Sequence, residues 1–424
     1  MNYKAVIEQL KNGLMDEAIR SYSGLEEVTE LNHRWVDFME RNTHHFCDED
    51  VYLLTVSGRT EVGGNHTDHQ RGCVLAASLS LDTVASVCKT TENTAIVCSE
   101  GFTIQPVDLN DLTVQVNEKE TSEALIRGVA ASFVKRGYQI GGFKAVMNSQ
   151  VLKGSGMSSS ASFEVMIGLI FSVLYNDGKI SNEELAVIGQ EAENIYFGKP
   201  CGLMDQMACA VGGAVAIDFK DKHQPVVEKV EFDFTHSGYA LALVDTGGSH
   251  ADLSDEYGKM PFEMKQVAKC LGVEVLSETS KEQLYKKLPE IRGQVSDRAI
   301  LRAMHYFDET VRAQKEAEAL KQGNMQEFLR LVKESGRSSF MYLQNVVLYS
   351  DTEHQPLALA LALSEQMLKE DGAWRVHGGG LAGTIQAFVP VHQLNEYCSM
   401  MEAVFGKGSC HVLSIRPKGA AQVC

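Results

Sequence analysis

The hydrophobic pattern changes period several times along the chain. Residues 1–45 carry apolar positions at helical spacing, as in YKAVIEQLKNGLM and HRWVDFMER, and predict two or three amphipathic helices. VYLLTVS (51–57) predicts a strand, and GRTEVGGNHTD (58–68) a loop after it. Helical spacing returns at 122–137. A long apolar helix, ending near Asp177, follows KGSGMSSSAS (153–162) at once. NEELAVIGQEAENIYFG (182–198) is a further helix, stopped by Lys199-Pro200. AVAIDF (214–219) and ALALVDT (240–246) read as strands, 296–336 and 356–370 as helical. TIQAFVP (384–390) and CHVLSI (410–415) are strands flanking a helix near 391–405. This mixture, with two separate Gly-rich loops, predicts an α+β or mixed α/β protein with two lobes. The polar stretch near 220–238 marks a boundary between them.

Composition narrows the class. The chain has 424 residues, 44% hydrophobic and 22% charged, a globular balance too large for one ordinary core. No apolar run suits a bilayer span, and the start, MNYKAVIEQLKNG, does not read as a signal peptide. The expectation is a soluble, cytoplasmic protein that binds no membrane. A formal charge of −17 argues against a general nucleic-acid binder, which needs a basic face. An anionic ligand must then be held locally, by loops, helix ends or a metal. Ten cysteines form no CxxC pair and are expected to be reduced. Oligomeric state is not legible.

Candidate chemistry therefore sits in the loops. GxxxxGK[ST] is absent, and GxGxxG matches at Gly378, Gly380 and Gly383, where a strand follows instead of a helix. The stretch 153–162 reads as a linker or as a phosphate cradle. A linker does not run straight into a buried helix. With Ser158–Ser160 in the first helical turn, unpaired N–H groups and the positive end of the helix dipole face outward. Gly154 and Gly156 let backbone approach an anion closely, and serine hydroxyls can ligate Mg²⁺.

KGSGMSSSAS resembles the phosphate loop of the GHMP sugar and mevalonate kinases, galactokinases in particular. GRTEVGGNHTD is similar to the galactokinase signature, whose usual form is GRVNLIGEHTD. CGLMDQ (201–206) is close to the segment carrying that family's catalytic aspartate, and HGGGLAG (377–383) resembles the third GHMP motif. The resemblance implies a two-lobed GHMP fold with the active site in a cleft. It implies a helical extension over 1–47, an N-terminal kinase domain over 48–236 and a C-terminal domain over 237–424. It also implies an ATP- and Mg²⁺-dependent kinase acting on the anomeric hydroxyl of a hexose, galactose first.

On the same resemblance, Gly154, Ser155, Gly156, Met157, Ser158, Ser159 and Ser160, with Gly379 and Gly380, hold ATP. Ser160 and Glu193 hold the metal. Asp205 is the catalytic base or orienting charge, and Arg59 lies beside it. Asn65, His66, Asp68, Gly202 and Tyr257 contact the sugar. His66 and the nearby His69 also admit a metal-site reading, without further ligands at the right spacing.

Several departures from the family pattern bear on the sugar. Asn65 stands where galactokinases carry glutamate, which removes a charge that would repel a 6-carboxylate; DHQ (68–70) resembles galacturonokinases. Galacturonate is thus an alternative substrate, and a non-catalytic sugar and ATP sensor an alternative function. Glu61 and Gly63 replace the family's Asn and Ile, and HGGGLAGT replaces TGGGFGGC.

Overall fold

The computed structural model describes residues 1–46, 49–151, 158–199, 201–221, 225–234, 236–247, 253–381 and 383–424. The N-terminal segment forms α1 (Tyr3–Lys11), α2 (Asp16–Ser23), α3 (Thr29–Arg41) and the single turn α4 (Thr43–Phe46). The next segment contains β1 (Tyr52–Gly63), β2 (Cys73–Lys89), β3 (Thr94–Ser99), β4 (Val107–Asp108), α5 (Ser122–Lys135) and β5 (Phe143–Ser149). Then come α6 (Ser159–Tyr175), α7 (Asn182–Ala192), α8 (Met204–Val211), β6 (Ala214–Asp218) and β7 (Val226–Val230). The remainder is β8 (Tyr239–Asp245), α9 (Ser254–Leu271), α10 (Lys281–Ile291), α11 (Asp297–Lys321), α12 (Met325–Ser338), α13 (Pro356–Leu368), β9 (Ala373–Val376), β10 (Thr384–Pro390), α14 (Leu394–Phe405), β11 (Cys410–Leu413) and β12 (Ala420–Gln422).

Two sheets organise these elements. The larger runs β12-β1-β2-β5-β3-β4, with β6 paired to β2 and β7 to β6; among the described residues only β3 and β5 are parallel. The smaller runs β11-β8-β10-β9 and is antiparallel throughout. The larger sheet takes its last strand from the chain's end, so the span read as a C-terminal domain, 237–424, also contributes to the first sheet.

Strand alternation decides what each face covers. Leu54, Val56, Val74, Ala76, Ala85 and Val87 point into a core shared with α5–α8. Leu53, Val84 and Cys88 point the other way, against Tyr3, Trp35 and Phe38 of the N-terminal helices. Further along that second face, Val62, Leu75, Ala77 and Leu79 share a core with Leu243 of β8, Phe388 of β10 and Leu320 of α11. The N-terminal helices are thus a lid over half of a sheet face.

The strand at 51–57 is longer than its pattern. Residues 58–63, expected as loop, continue β1 and are fully buried. They escape the pattern because the buried positions include Arg59, Thr60 and Glu61, polar residues satisfied by partners on α8 and the second sheet rather than by water. Register slips between Ser57 and Arg59, a bulge of the kind that re-aims a side chain beside a site.

Candidate functional site

Helix α6 is apolar on every side and buried over most of its length, so its direction is fixed by the core. Its start differs from those of the capped helices α7 and α11. Ser181 caps α7 by accepting from Glu184 N at 3.2 Å, and Ser296 caps α11 by accepting from Ala299 N at 3.1 Å. Ser158, the N-cap of α6, does not cap its helix and no acidic residue follows in the first turn. With φ 54° it lies in the left-handed region and turns its hydroxyl away, toward Asp205. The first turn of α6, with Ser159 and Ser160, thus has no side-chain cap on its N–H groups, the arrangement that suits an anion. Gly154, Ser155, Gly156 and Met157 lie outside the described residues.

Asp205 sits in the first turn of α8 and receives Arg59 side-on, Nε to Oδ1 and Nη2 to Oδ2, both at 2.7 Å. Ser158 Oγ donates to Oδ2 and itself accepts from Arg59 Nη2. Three motifs far apart in sequence meet in this triangle. Burial pushes the Asp205 carboxyl up, but the Arg59 charge, its two hydrogen bonds and Ser158 more than offset that, and the group is held below its ordinary value. Arg59 is buried while Asp205 keeps about a third of its side chain exposed, so the carboxylate is open on one side.

Ser160 Oγ lies 3.4 Å from Glu193 Oε1. Glu193 begins a wide π-helical turn, Glu193–Phe197, at the end of α7, where its carbonyl accepts from both Gly198 N and Lys199 N. This hydroxyl and carboxylate from two helices are the hard oxygens a small divalent cation takes.

The sugar-motif residues gather nearby. Asp68 packs so closely on Gly202 that any Cβ there would strike its carboxylate. Burial, reinforced by the Asp205 charge, lifts Asp68 to about 6. His66 meets the Gly379 carbonyl through Nε2 at 3.2 Å, and burial drops its imidazole to about 4, so it is neutral with the proton on Nε2. Tyr257 donates to the Gly380 carbonyl at 2.7 Å, and a Cβ on Gly379 would come within 2.6 Å of its ring. His66 and Tyr257 thus both bear on the third glycine loop.

Asn65 differs from expectation. It is fully buried, and both ends of its side chain are spent on protein groups. Nδ2 donates to Glu61 Oε1 at 2.7 Å and to Gly378 O at 2.8 Å, and Oδ1 accepts from Asn345 Nδ2 at 2.7 Å. The residue expected at a sugar's C6 is instead a rivet between β1 and the third glycine loop. Its partner Glu61 also binds Arg375 of β9 at 3.2 Å, and burial lifts Glu61 to about 7. Gln386 of β10 donates to the Glu61 carbonyl at 2.8 Å, so the second sheet grips the end of β1. Gly63 also has a reason: the carboxyl of Glu316, from α11, fills the space a side chain would need. That acid is fully buried with no partner for either oxygen among the described residues, and burial drives it well above the carboxylate range.

Residues 42–89 match the model of the galactokinase galactose-binding signature, and residues 124–213 that of the GHMP kinases N terminal domain. The chain is similar to the galactokinases among the GHMP kinases. A galactokinase of Glaesserella parasuis is 29% identical over 352 residues, 82% of this chain and 87% of its relative. The crystal structure of Lactococcus lactis galactokinase complexed with galactose superimposes with a TM-score of 0.76 at 22% identity, over 90% of this chain and 97% of that one. The Methanococcus jannaschii mevalonate kinase shares the fold at a TM-score of 0.60 and 13% identity, over 86% and 98%. No described helix is long and apolar enough to cross a membrane.

Proposed function

We propose that this protein transfers the γ-phosphoryl group of ATP to the anomeric hydroxyl of galactose, giving galactose 1-phosphate and ADP. The observation that carries the reading is the Arg59–Asp205–Ser158 triangle at the open start of α6. Phosphoryl transfer asks mainly for positioning and charge stabilisation. The start of α6 would bind the triphosphate, with the loop before it. The open side of Asp205 would accept the hydrogen of the anomeric hydroxyl while Arg59 keeps the carboxylate ionised and aimed. Asp68 and the unprotonated Nδ1 of His66 would accept from ring hydroxyls, the His66 Nε2–H being held by the Gly379 carbonyl. Ser160 and Glu193 would hold Mg²⁺, whose charge neutralises the phosphate oxygens when bound. Galactose comes from the galactose-binding signature and the curated relative. The charge argument for a 6-carboxylate loses its footing because Asn65 is interior.

A coupled ADP assay with ATP and Mg²⁺ across hexoses and uronic acids tests this directly. Galactose-dependent ADP, and a 1-phosphate by ³¹P NMR, are expected. Tight galactose binding without ADP release would make the protein a sensor instead.

Two further outcomes follow. With Asp68 lifted to about 6, the acceptor form is lost as pH falls. The kcat/KM for galactose should therefore drop by roughly tenfold per unit below that value, a free-enzyme limb. Asp68→Asn should flatten the limb; an unaltered profile would assign it to another group. Asn65→Glu would set a second acid beside Glu61 and remove two buried donors, at a cost of about 3 kcal/mol. It should lower the melting temperature and raise KM for galactose and galacturonate alike. A normal melt with a changed sugar ratio would show that position 65 faces C6.

A further inference from the structure

Three helices meet behind the Ser160–Glu193 pair, and one side chain joins them. Gln206 of α8 is fully buried. Its Nε2 donates to Glu164 Oε2 of α6 at 2.9 Å and to Glu193 Oε2, at the end of α7, at 2.9 Å. Glu164 is fully buried and lies one turn beyond Ser160 on the same helix. Between them, α7 presents Gly189, where a Cβ would stand 3.1 Å from Glu164 Cβ and 3.3 Å from Gln206 Cγ. The gap in side-chain bulk is what lets α6 reach α8 across α7.

The two oxygens of Glu193 are thereby given different tasks. Oε2 is anchored inward by Gln206, and Oε1 is left facing Ser160 Oγ at 3.4 Å. The exposed Lys199 lies 3.5 Å from that same Oε1 and draws it toward solvent. The Gln206 amide is the inward hydrogen bond that opposes that pull. Gln206 also follows Asp205 directly, so the anchor that fixes Glu193 fixes the first turn of α8.

We propose that Gln206 and Glu164 are positioning residues that preset Glu193 as a divalent-cation ligand and keep it in register with Asp205. Glu164 orients the amide of Gln206, and the amide orients Glu193. This rests on the reading of Glu193 as the metal ligand. Partners of this kind change metal affinity by about 10–100-fold when removed.

The test measures Mn²⁺ binding to the ATP-free protein by electron paramagnetic resonance, beside the Mg²⁺ dependence of turnover. Gln206→Met and Glu164→Leu should each weaken Mn²⁺ binding about tenfold and raise the Mg²⁺ requirement, with the galactose KM little changed. Glu164→Gln keeps an acceptor for the Gln206 amide and should retain near-normal Mn²⁺ affinity. If Glu164→Leu does not fold, Gln206→Met and the Gln rescue still decide the matter. Wild-type Mn²⁺ affinity in a folded Gln206→Met variant overturns the proposal when Glu193→Gln weakens binding. Wild-type affinity in Glu193→Gln itself overturns the metal reading beneath it.

Discussion

Asp205→Ala is expected to lower kcat by about 10³-fold, roughly 4 kcal/mol of transition-state stabilisation, with ATP affinity nearly unchanged. The split follows from geometry. Asp205 touches Arg59 and Ser158 and opens to one side, whereas the first turn of α6 keeps its own backbone donors. Truncation removes the group that aims the acceptor and leaves Arg59 buried without its carboxylate, so a modest fall in melting temperature should accompany the loss. Asp205→Asn separates aiming from proton acceptance. The carboxyl is held below its ordinary value, which makes it a weak base near neutrality. If orientation carries the effect, the asparagine variant should recover part of what alanine loses. If both are equally inactive, the negative charge itself is required. Steady-state kinetics with an ATP-binding titration read both outcomes, and Asp205→Ala turnover near wild type would remove the residue from the mechanism.

Motifs made the site legible because each sits at the end of an element the core fixes. Ser158 begins the buried helix α6, Asp205 begins α8, and Arg59 sits at the bulge of β1; no periodicity brings them together, but sheet pairing and helix packing do. The N-terminal helices with one apolar stripe, and α6 with apolar residues on every face, were equally readable. The helices α9 and α10, interrupted by Pro261 and Pro289, escaped, and so did much that is buried on both sides or polar inside. CVLAASLSLDTVASVCK, the 17-residue β2, is covered on both faces and shows no alternation to read. Glu61, Glu164, Gln206 and Glu316 look like surface residues until packing encloses them. The surroundings of Asn65 were hidden for a related reason. Its type suits a hydroxyl ligand, and its donors and acceptor are taken up by Glu61 nearby and by Gly378 and Asn345, 280 or more residues away in sequence.

Asp82→Asn is expected to be the most destabilising single change outside the site, by about 3–5 kcal/mol. Asp82 is almost wholly buried and gathers three parts of the chain. Arg34 of α3 reaches Oδ1 at 2.6 Å, Arg416 reaches Oδ2 at 2.9 Å, and Thr55 of β1 donates to Oδ2 at 2.5 Å. Arg416 is itself buried, so removing the charge from Asp82 strands a guanidinium in the interior beside Arg34. Burial raises the Asp82 carboxyl, but Arg34 and Arg416 outweigh it and hold the group below its ordinary 3.8. The sign follows by linkage. A carboxyl lowered in the folded state adds stability that is complete above the unfolded value and is lost as pH falls through the folded one. The gap between wild type and Asp82→Asn in thermal melts should be of the order of 5 °C or more near pH 7. It should close as the pH is taken below 3.8, where wild type loses the same charge. Glu309, held at about 2 by His305, Arg312 and Arg375 against its burial, adds a second acid-sensitive contribution, lost between 4.5 and about 2, that both proteins share. Equal melts at neutral pH would show that the N-terminal lid is held by its apolar contacts alone.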